Sequence, residues 1–207
     1  MNSYAQNRED ILVSERFVDR TLNLLSLGEN TGTVLSNALL LIQNNWSATL
    51  VEPAPKAFQQ LQELHNGNNR VQCINVAVGI CNYKAEFYDS GSHLSDGDTS
   101  LLSTLDIKET ERWGNSTTFN KIEVDVVDFR TLLEQSTLKQ FAFISIDCEG
   151  LDIAILKQIN LKEIGCECLC IEWNSIQDNY QQITDYVIPF GFYLAHTNAE
   201  NLIFFKN

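Results

Sequence analysis

The chain has 207 residues, with 14 Lys and Arg against 27 Asp and Glu and a formal charge of -13. Its length suits one α/β domain with a sizeable core, and its charge repels nucleic-acid backbones and anionic membranes, so neither is expected as a partner. No stretch is apolar for long enough to span a bilayer, and Met1-Asn2-Ser3-Tyr4 lacks the form of a signal peptide, so a cytoplasmic protein is expected.

Apolar positions Ile11, Leu12 and Phe17 at helical spacing predict a helix over 9–17 that packs ahead of the first strand, with Asn7 or Asp10 as a cap. A run of Leu22, Leu24, Leu25 and Leu27 then enters Gly28-Glu29-Asn30-Thr31-Gly32. An amphipathic segment over 33–44 follows, then a second apolar run, Thr49-Leu50-Val51-Glu52-Pro53. This reads as strand, glycine turn, helix, strand, acid. Glycine lets a ligand approach the backbone where a Cβ would collide, and a helix starting just after Gly32 would aim its free amides into that turn. Glu52 stands where nucleoside sites place the carboxylate that accepts from ribose hydroxyls.

Pro55 opens a further helix with Phe58, Leu61 and Leu64 as its buried stripe, and a strand over 71–78 ends in Val76-Ala77-Val78. Residues 84–88 alternate as another strand. The stretch 89–119 is rich in Ser, Thr, Gly and Asp, with Leu101, Leu102 and Trp113 standing out, and reads as a flap over an acceptor. Asp96-Gly97-Asp98 lacks the remaining ligands of a calcium loop.

Ile122, Val124 and Val126 mark a half-exposed strand, and Asp128 caps a helix over 129–134. The continuous apolar run 141–146 predicts a central parallel strand, ending in Asp147-Cys148-Glu149-Gly150. A helix over 151–159 precedes a strand through Ile171-Glu172-Trp173. Cys166, Cys168 and Cys170 alternate there, which puts all three on one strand face as buried free thiols; no metal site is assigned anywhere in the chain. After a helix over 178–187, strands at 191–195 and 201–206 should pair antiparallel.

Alternating strands and helices give an open, mostly parallel sheet whose ligands lie beyond the strands' carboxyl ends. Gly28 to Gly32, Glu52, Val76, Ala77, Asp147 to Gly150 and Glu172 all fall there. Hydride and methyl transfer both use such an edge. One Gly-x-x-x-Gly and an antiparallel end favour the methyl donor over a dinucleotide, and a sulfonium suits a site bordered by Asp147, Glu149 and Glu52.

These residues also carry a likeness that runs through nearly the whole chain. Tyr4 to Leu12, Leu27 to Gly32, Ser36-Asn37, Leu50 to Phe58, Ala77-Val78-Gly79, Ser145 to Gly150 and Asn201 to Phe204 together resemble the FkbM-type S-adenosylmethionine-dependent methyltransferases. The resemblance implies a three-layer, Rossmann-like class I fold with a seven-stranded sheet, and O-methylation of natural products at a hydroxyl or carboxylate, with S-adenosylhomocysteine as product. It places Gly28, Asn30 and Gly32 at the methionine part, Glu52 at the ribose, Ala77 near adenine, and Asp147 with Glu149 near the transferred methyl. Glu29, Ser36, Asn37, Pro53, Val76 and Asp147 are expected as further cofactor contacts. Gln6 and Asp10 match an N-terminal segment, 1–20, that folds over the cofactor. One departure is Ser26, where the family usually has an acid; either the donor is held differently or Glu29 substitutes.

Asp147, Glu149 or His93 would serve as base for a hydroxyl acceptor. A carboxylate acceptor, such as the C-terminus of a ribosomal peptide natural product handled by a larger tailoring enzyme, needs no base and wants a cation from Arg8, Arg16, Arg20 or Lys56. A degenerate nucleoside-binding domain and an NAD-dependent oxidoreductase are the other classes. The acceptor is a small molecule or peptide; the sequence leaves a homodimer open.

Overall fold

The computed structural model describes residues 2–94 and 99–207, so the Asp96-Gly97-Asp98 segment lies outside the described residues. Among the described residues there are ten strands and seven α-helices, alternating except in two runs of successive strands, over 71–90 and 192–206. Strands β1 (Asn23–Leu27), β2 (Ser47–Val51), β3 (Val71–Ile74), β7 (Phe143–Ile146), β8 (Cys168–Glu172), β9 (Phe192–Thr197) and β10 (Asn201–Lys206) form one sheet in the order β3-β2-β1-β7-β8-β10-β9. All its pairings are parallel except those of β10, which runs against β8 and β9. The expected seven-stranded sheet with an antiparallel end is therefore present. Strand order reverses between β1 and β7, and an open α/β sheet has its ligand crevice at that point.

Period two divides the side chains between two cores. Leu24, Phe143, Cys168 and Cys170 face one layer, while Leu25, Leu27, Ile144, Ile146, Leu169 and Ile171 face the other. Each such side chain contributes roughly 1.5–3 kcal/mol by leaving water. Cys166 departs from expectation: β8 starts at Cys168, and Cys166 precedes it and packs in the opposite layer. The cause is local, since the amides of Glu167 and Cys168 both donate to the carbonyl of Ala142 and break the alternation. All six thiols are free.

A second sheet, absent from the sequence reading, joins β4 (Ala77–Val78), β5 (Tyr83–Ser90) and β6 (Phe119–Val127) in the order β4-β6-β5. It splits the expected strand over 71–78 in two, and it carries the 89–119 stretch, which includes helix α4 (Ile107–Trp113). The helix expected from Gly32 is also different. Helix α2 covers only Leu39–Gln43, because Leu35 is left-handed (φ 57°) and the Ser36 hydroxyl accepts from the amides of Ala38 and Leu39. Residues 33–38 are thus free to line the crevice. No helix among the described residues is long and apolar enough to cross a membrane.

Candidate active site

Strand register builds the site. Leu27 pairs with Val51 on one side and Ile146 on the other, and Ile146 pairs with Ile171. The next residue of each strand is therefore Glu52, Gly28, Asp147 and Glu172, four neighbours along one rim. Above them is a cleft of about 390 Å³. Gly28 sits at φ 79°, and a Cβ there would stand 1.8 Å from the carbonyl oxygen of Asp147. Only glycine lets the β1 turn close onto the end of β7.

Of the residues singled out by sequence, Gln6, Gly28, Glu29, Asn30, Ser36, Asn37, Glu52, Pro53, Val76, Ala77, His93, Asp147 and Glu149 all line this cleft. Gly32 and Asp10 do not. Gly32 turns away against Leu61, Leu64 and His65. Asp10 is buried, accepting from Ser3 Oγ at 2.6 Å and the Tyr4 amide at 2.8 Å, which folds the N-terminal residues back and presents Gln6. Beside it, Glu9 accepts from the Asn7 amide and from Asn198 and Asn201, fastening helix α1 (Glu9–Arg16) to the β9–β10 turn.

Buried carboxylates dominate the electrostatics. Glu52 Oε2 accepts from the Asn30 amide and Oε1 from the Ala54 amide, both at 2.8 Å. Burial outweighs those two bonds and pushes its pKa up to about 8, with Asp89 and Glu29 adding like charge. Glu29 is raised to about 6 by burial, against hydrogen bonds from Ser26 and Ser36. Asp147 has open surface toward the cleft, and its carboxyl is raised above the usual range first by desolvation at the cleft floor and then by the like charges of Asp152, Glu29 and Glu9. Glu149 and Glu172 are pushed well above the usual carboxylate range, first by burial and then by Asp147.

Two lining side chains keep buried oxygens without a hydrogen-bond partner, Asn37 Oδ1 and Glu149 Oε2. Asn37 spends its amide nitrogen on Ser145 Oγ at 3.1 Å, so its oxygen remains for a donor. Opposite this polar side, Leu101, Leu102, Leu105 and Trp113 from the 89–119 stretch form an apolar wall, with His93 edge-on to Trp113 at 5.5 Å. Trp113 Nε1 also has no partner. Thr104 Oγ1 ties this wall to the Glu149 carbonyl at 2.7 Å. Sequence reading left Arg112, Asn174 and Ser175 out of the site, and placed Glu172 at the sheet edge without assigning it a role. Only strand order reveals that the end of β8 borders the end of β7.

The sheet order, the glycine turn and the acidic rim define a class I, Rossmann-like methyltransferase fold. Solved structures share it: precorrin-6y C5,15-methyltransferase from Geobacter metallireducens GS-15 has a TM-score of 0.51 at 10% identity, covering 98% of this chain and 89% of that one. Fibrillarin from Methanococcus jannaschii gives 0.51 at 12%, covering 98% and 75%. Fibrillarin from Aeropyrum pernix, in complex with natively bound S-adenosyl-L-methionine, gives 0.50 at 12%, covering 97% and 73%. Compared with curated protein sequences, the chain has no match. Residues 26–196 match the methyltransferase FkbM domain, and the chain belongs to that family.

Proposed function

We propose that this chain is an O-methyltransferase acting on a hydroxyl of a natural product. The observation that carries the reading is the single rim on which Gly28, Glu52, Asp147 and Glu172 follow one another beneath a cleft whose volume lies in the ligand-binding range. S-Adenosylmethionine, when bound, supplies a methyl group already activated on a sulfonium. Glu52 holds the ribose, Asn37 Oδ1 accepts from the donor's amino group, and Val76 with Ala77 flank the adenine. Glu29, steadied by Ser26 and Ser36, takes the place of the family's usual acid. Asp147 and Glu149 orient the acceptor hydroxyl and take up its proton, and His93 with Trp113 closes the acceptor side against water.

A hydroxyl is favoured over a carboxylate by charge. Glu29, Glu52, Asp147, Glu149, Glu172 and Glu200 line the cleft against Arg112, which is itself paired with Glu109, so an anionic acceptor would find no unpaired cation in the lining to receive it. The cations expected to serve a carboxylate are elsewhere: Arg20 pairs with Glu167 at 2.8 Å, and Arg16 lies over Phe17 and Phe205. The single-domain organisation over 1–207 and a small-molecule or peptide acceptor belong to the same proposal.

The test combines a thermal shift with S-adenosylhomocysteine and NAD with methyl transfer to a panel of alcohols and carboxylic acids. Stabilisation by S-adenosylhomocysteine and methylation of alcohols are expected. Stabilisation by NAD alone would replace this reading with an oxidoreductase, and binding without turnover would leave a nucleoside-binding domain. In Glu52→Gln, loss of a charge-assisted bond to the ribose should weaken S-adenosylhomocysteine about 10–100-fold by calorimetry. In Asp147→Asn, turnover should fall about 10²–10⁴-fold, with a much smaller change in donor affinity; full turnover would remove Asp147 from the chemistry.

A further inference from the structure

Asp147, Glu149 and Glu172 reach one corner of the cleft by separate routes. The β7–β8 register sets Asp147 beside Glu172. Glu149 comes back toward them through a left-handed backbone, φ 45°, with its carbonyl held by Thr104. One carboxylate oxygen of each lies within 4.8 Å of the other two. Carboxylates so close cannot all stay ionised by themselves, and a cation standing among them would let them do so. Among the described residues no Lys or Arg ion-pairs with any of the three; Arg112, which lines the same cleft, is paired with Glu109 at 2.9 Å. A second observation points the same way. Glu149 is only 8% exposed, and its Oε2 is buried without a hydrogen-bond partner. Such an oxygen is costly unless something fills its place.

We propose that these three carboxylates bind a hard divalent cation, which holds the acceptor's oxygen in the cleft. A set of oxygen ligands without His or Cys suits Ca²⁺, Mn²⁺ or Mg²⁺ in preference to zinc or copper. Oxygens that lie within 4.8 Å of one another can all reach bonding distance of a single ion of this kind. Three protein ligands leave coordination positions open to the cleft, as a site that receives a substrate oxygen requires. Each carboxylate coordinates through one oxygen, and Asp147, the member open to the cleft, keeps its other oxygen for the acceptor's proton. The ion's role rests on the O-methyltransferase reading; its binding does not.

The full chain, stripped with EDTA, is titrated with CaCl₂, MnCl₂ and MgCl₂ by calorimetry, and bound Mn²⁺ is followed by electron paramagnetic resonance. One ion per chain is expected, with affinity weakened at least about tenfold in Glu149→Gln and in Glu172→Gln. Both variants remove buried charge, so each should melt no lower than the parent chain while losing the upward shift that Mn²⁺ gives it. Should either fail to fold, the parent chain's resonance spectrum decides between protein-bound and hydrated Mn²⁺. A parallel titration with S-adenosylhomocysteine separates the two readings: ion uptake without it supports the cation site and sinks the methyltransferase reading. The cation site is overturned if none of the three ions shows saturable uptake, or if uptake is unchanged in both variants.

Discussion

Gly28→Ala is expected to abolish S-adenosylhomocysteine binding and to lower stability by about 3 kcal/mol or more. Two costs add. An L-residue held at φ 79° loses roughly 1–2 kcal/mol, and the added methyl would stand 1.8 Å from the Asp147 carbonyl oxygen, forcing a backbone shift worth about 1–3 kcal/mol. That shift separates the β1 turn from the end of β7, so Asp147 leaves the rim and the cleft loses its floor. A melting midpoint lower by roughly 6–12 °C should result in a chain of this size. Gly67→Ala is the control. It shares the backbone conformation, φ 78°, but has nothing within 4 Å of the added carbon, so it should cost only about 1 kcal/mol. Equal losses in the two variants would show that steric closure at Gly28 plays no part.

Ligand-free protein should become less stable as pH rises from about 5 to about 8, which reverses the usual behaviour of paired carboxylates. Glu52 titrates at about 8 and Glu29 at about 6 in the fold, against 4.5 for the free side chain. Below 4.5 both states hold these protons and the contribution is flat. Between 4.5 and the raised values only the unfolded chain releases them, so stability is lost across that window and levels off above pH 8. Glu52 alone accounts for at most about 5 kcal/mol, or a midpoint fall of the order of 10 °C. The groups that act on it are Asp89 and Glu29, together with the Asn30 and Ala54 amides, which favour the ionised form. Scanning calorimetry from pH 5 to 9 measures the fall, and Glu52→Gln should make it shallower, with Asp147, Glu149 and Glu172, raised by the same burial, carrying the remainder. A midpoint that holds steady or climbs over this range in the parent chain would contradict strong desolvation of Glu52. Because a ribose donates to the ionised carboxylate, the stabilisation given by S-adenosylhomocysteine should grow with pH up to about 8.

Much of this site is legible in the residues because strand ends announce themselves. Apolar runs stop at Gly28, Glu52 and Asp147, and a mostly parallel sheet brings such ends to one edge. What resists reading depends on competition within loops or on strand order. Ser36 has a hydroxyl that outcompetes the helix for the amides of Ala38 and Leu39, which no apolar spacing reports. Asp10 looks like a ligand in its motif but spends both oxygens on Ser3, Tyr4 and Ile11. Glu172 gains meaning only once β8 is known to lie beside β7. Trp113 enters the cleft through a helix whose short polar sequence shows no apolar stripe, and the second sheet that carries it pairs residues far apart along the chain.

That second sheet has a consequence for how substrate choice can vary. Ser90 and Phe119 are direct partners at the open end of the β5–β6 ladder, so the intervening residues leave and return at one step of the ladder. The seven paired positions below that step hold its two ends together. This portion of the chain is in effect a cassette clipped to the site by Thr104 at the Glu149 carbonyl and by Asn30 at the Thr99 carbonyl: an exchange that keeps those two clips should leave the rim that carries Gly28, Glu52 and Asp147 as it is.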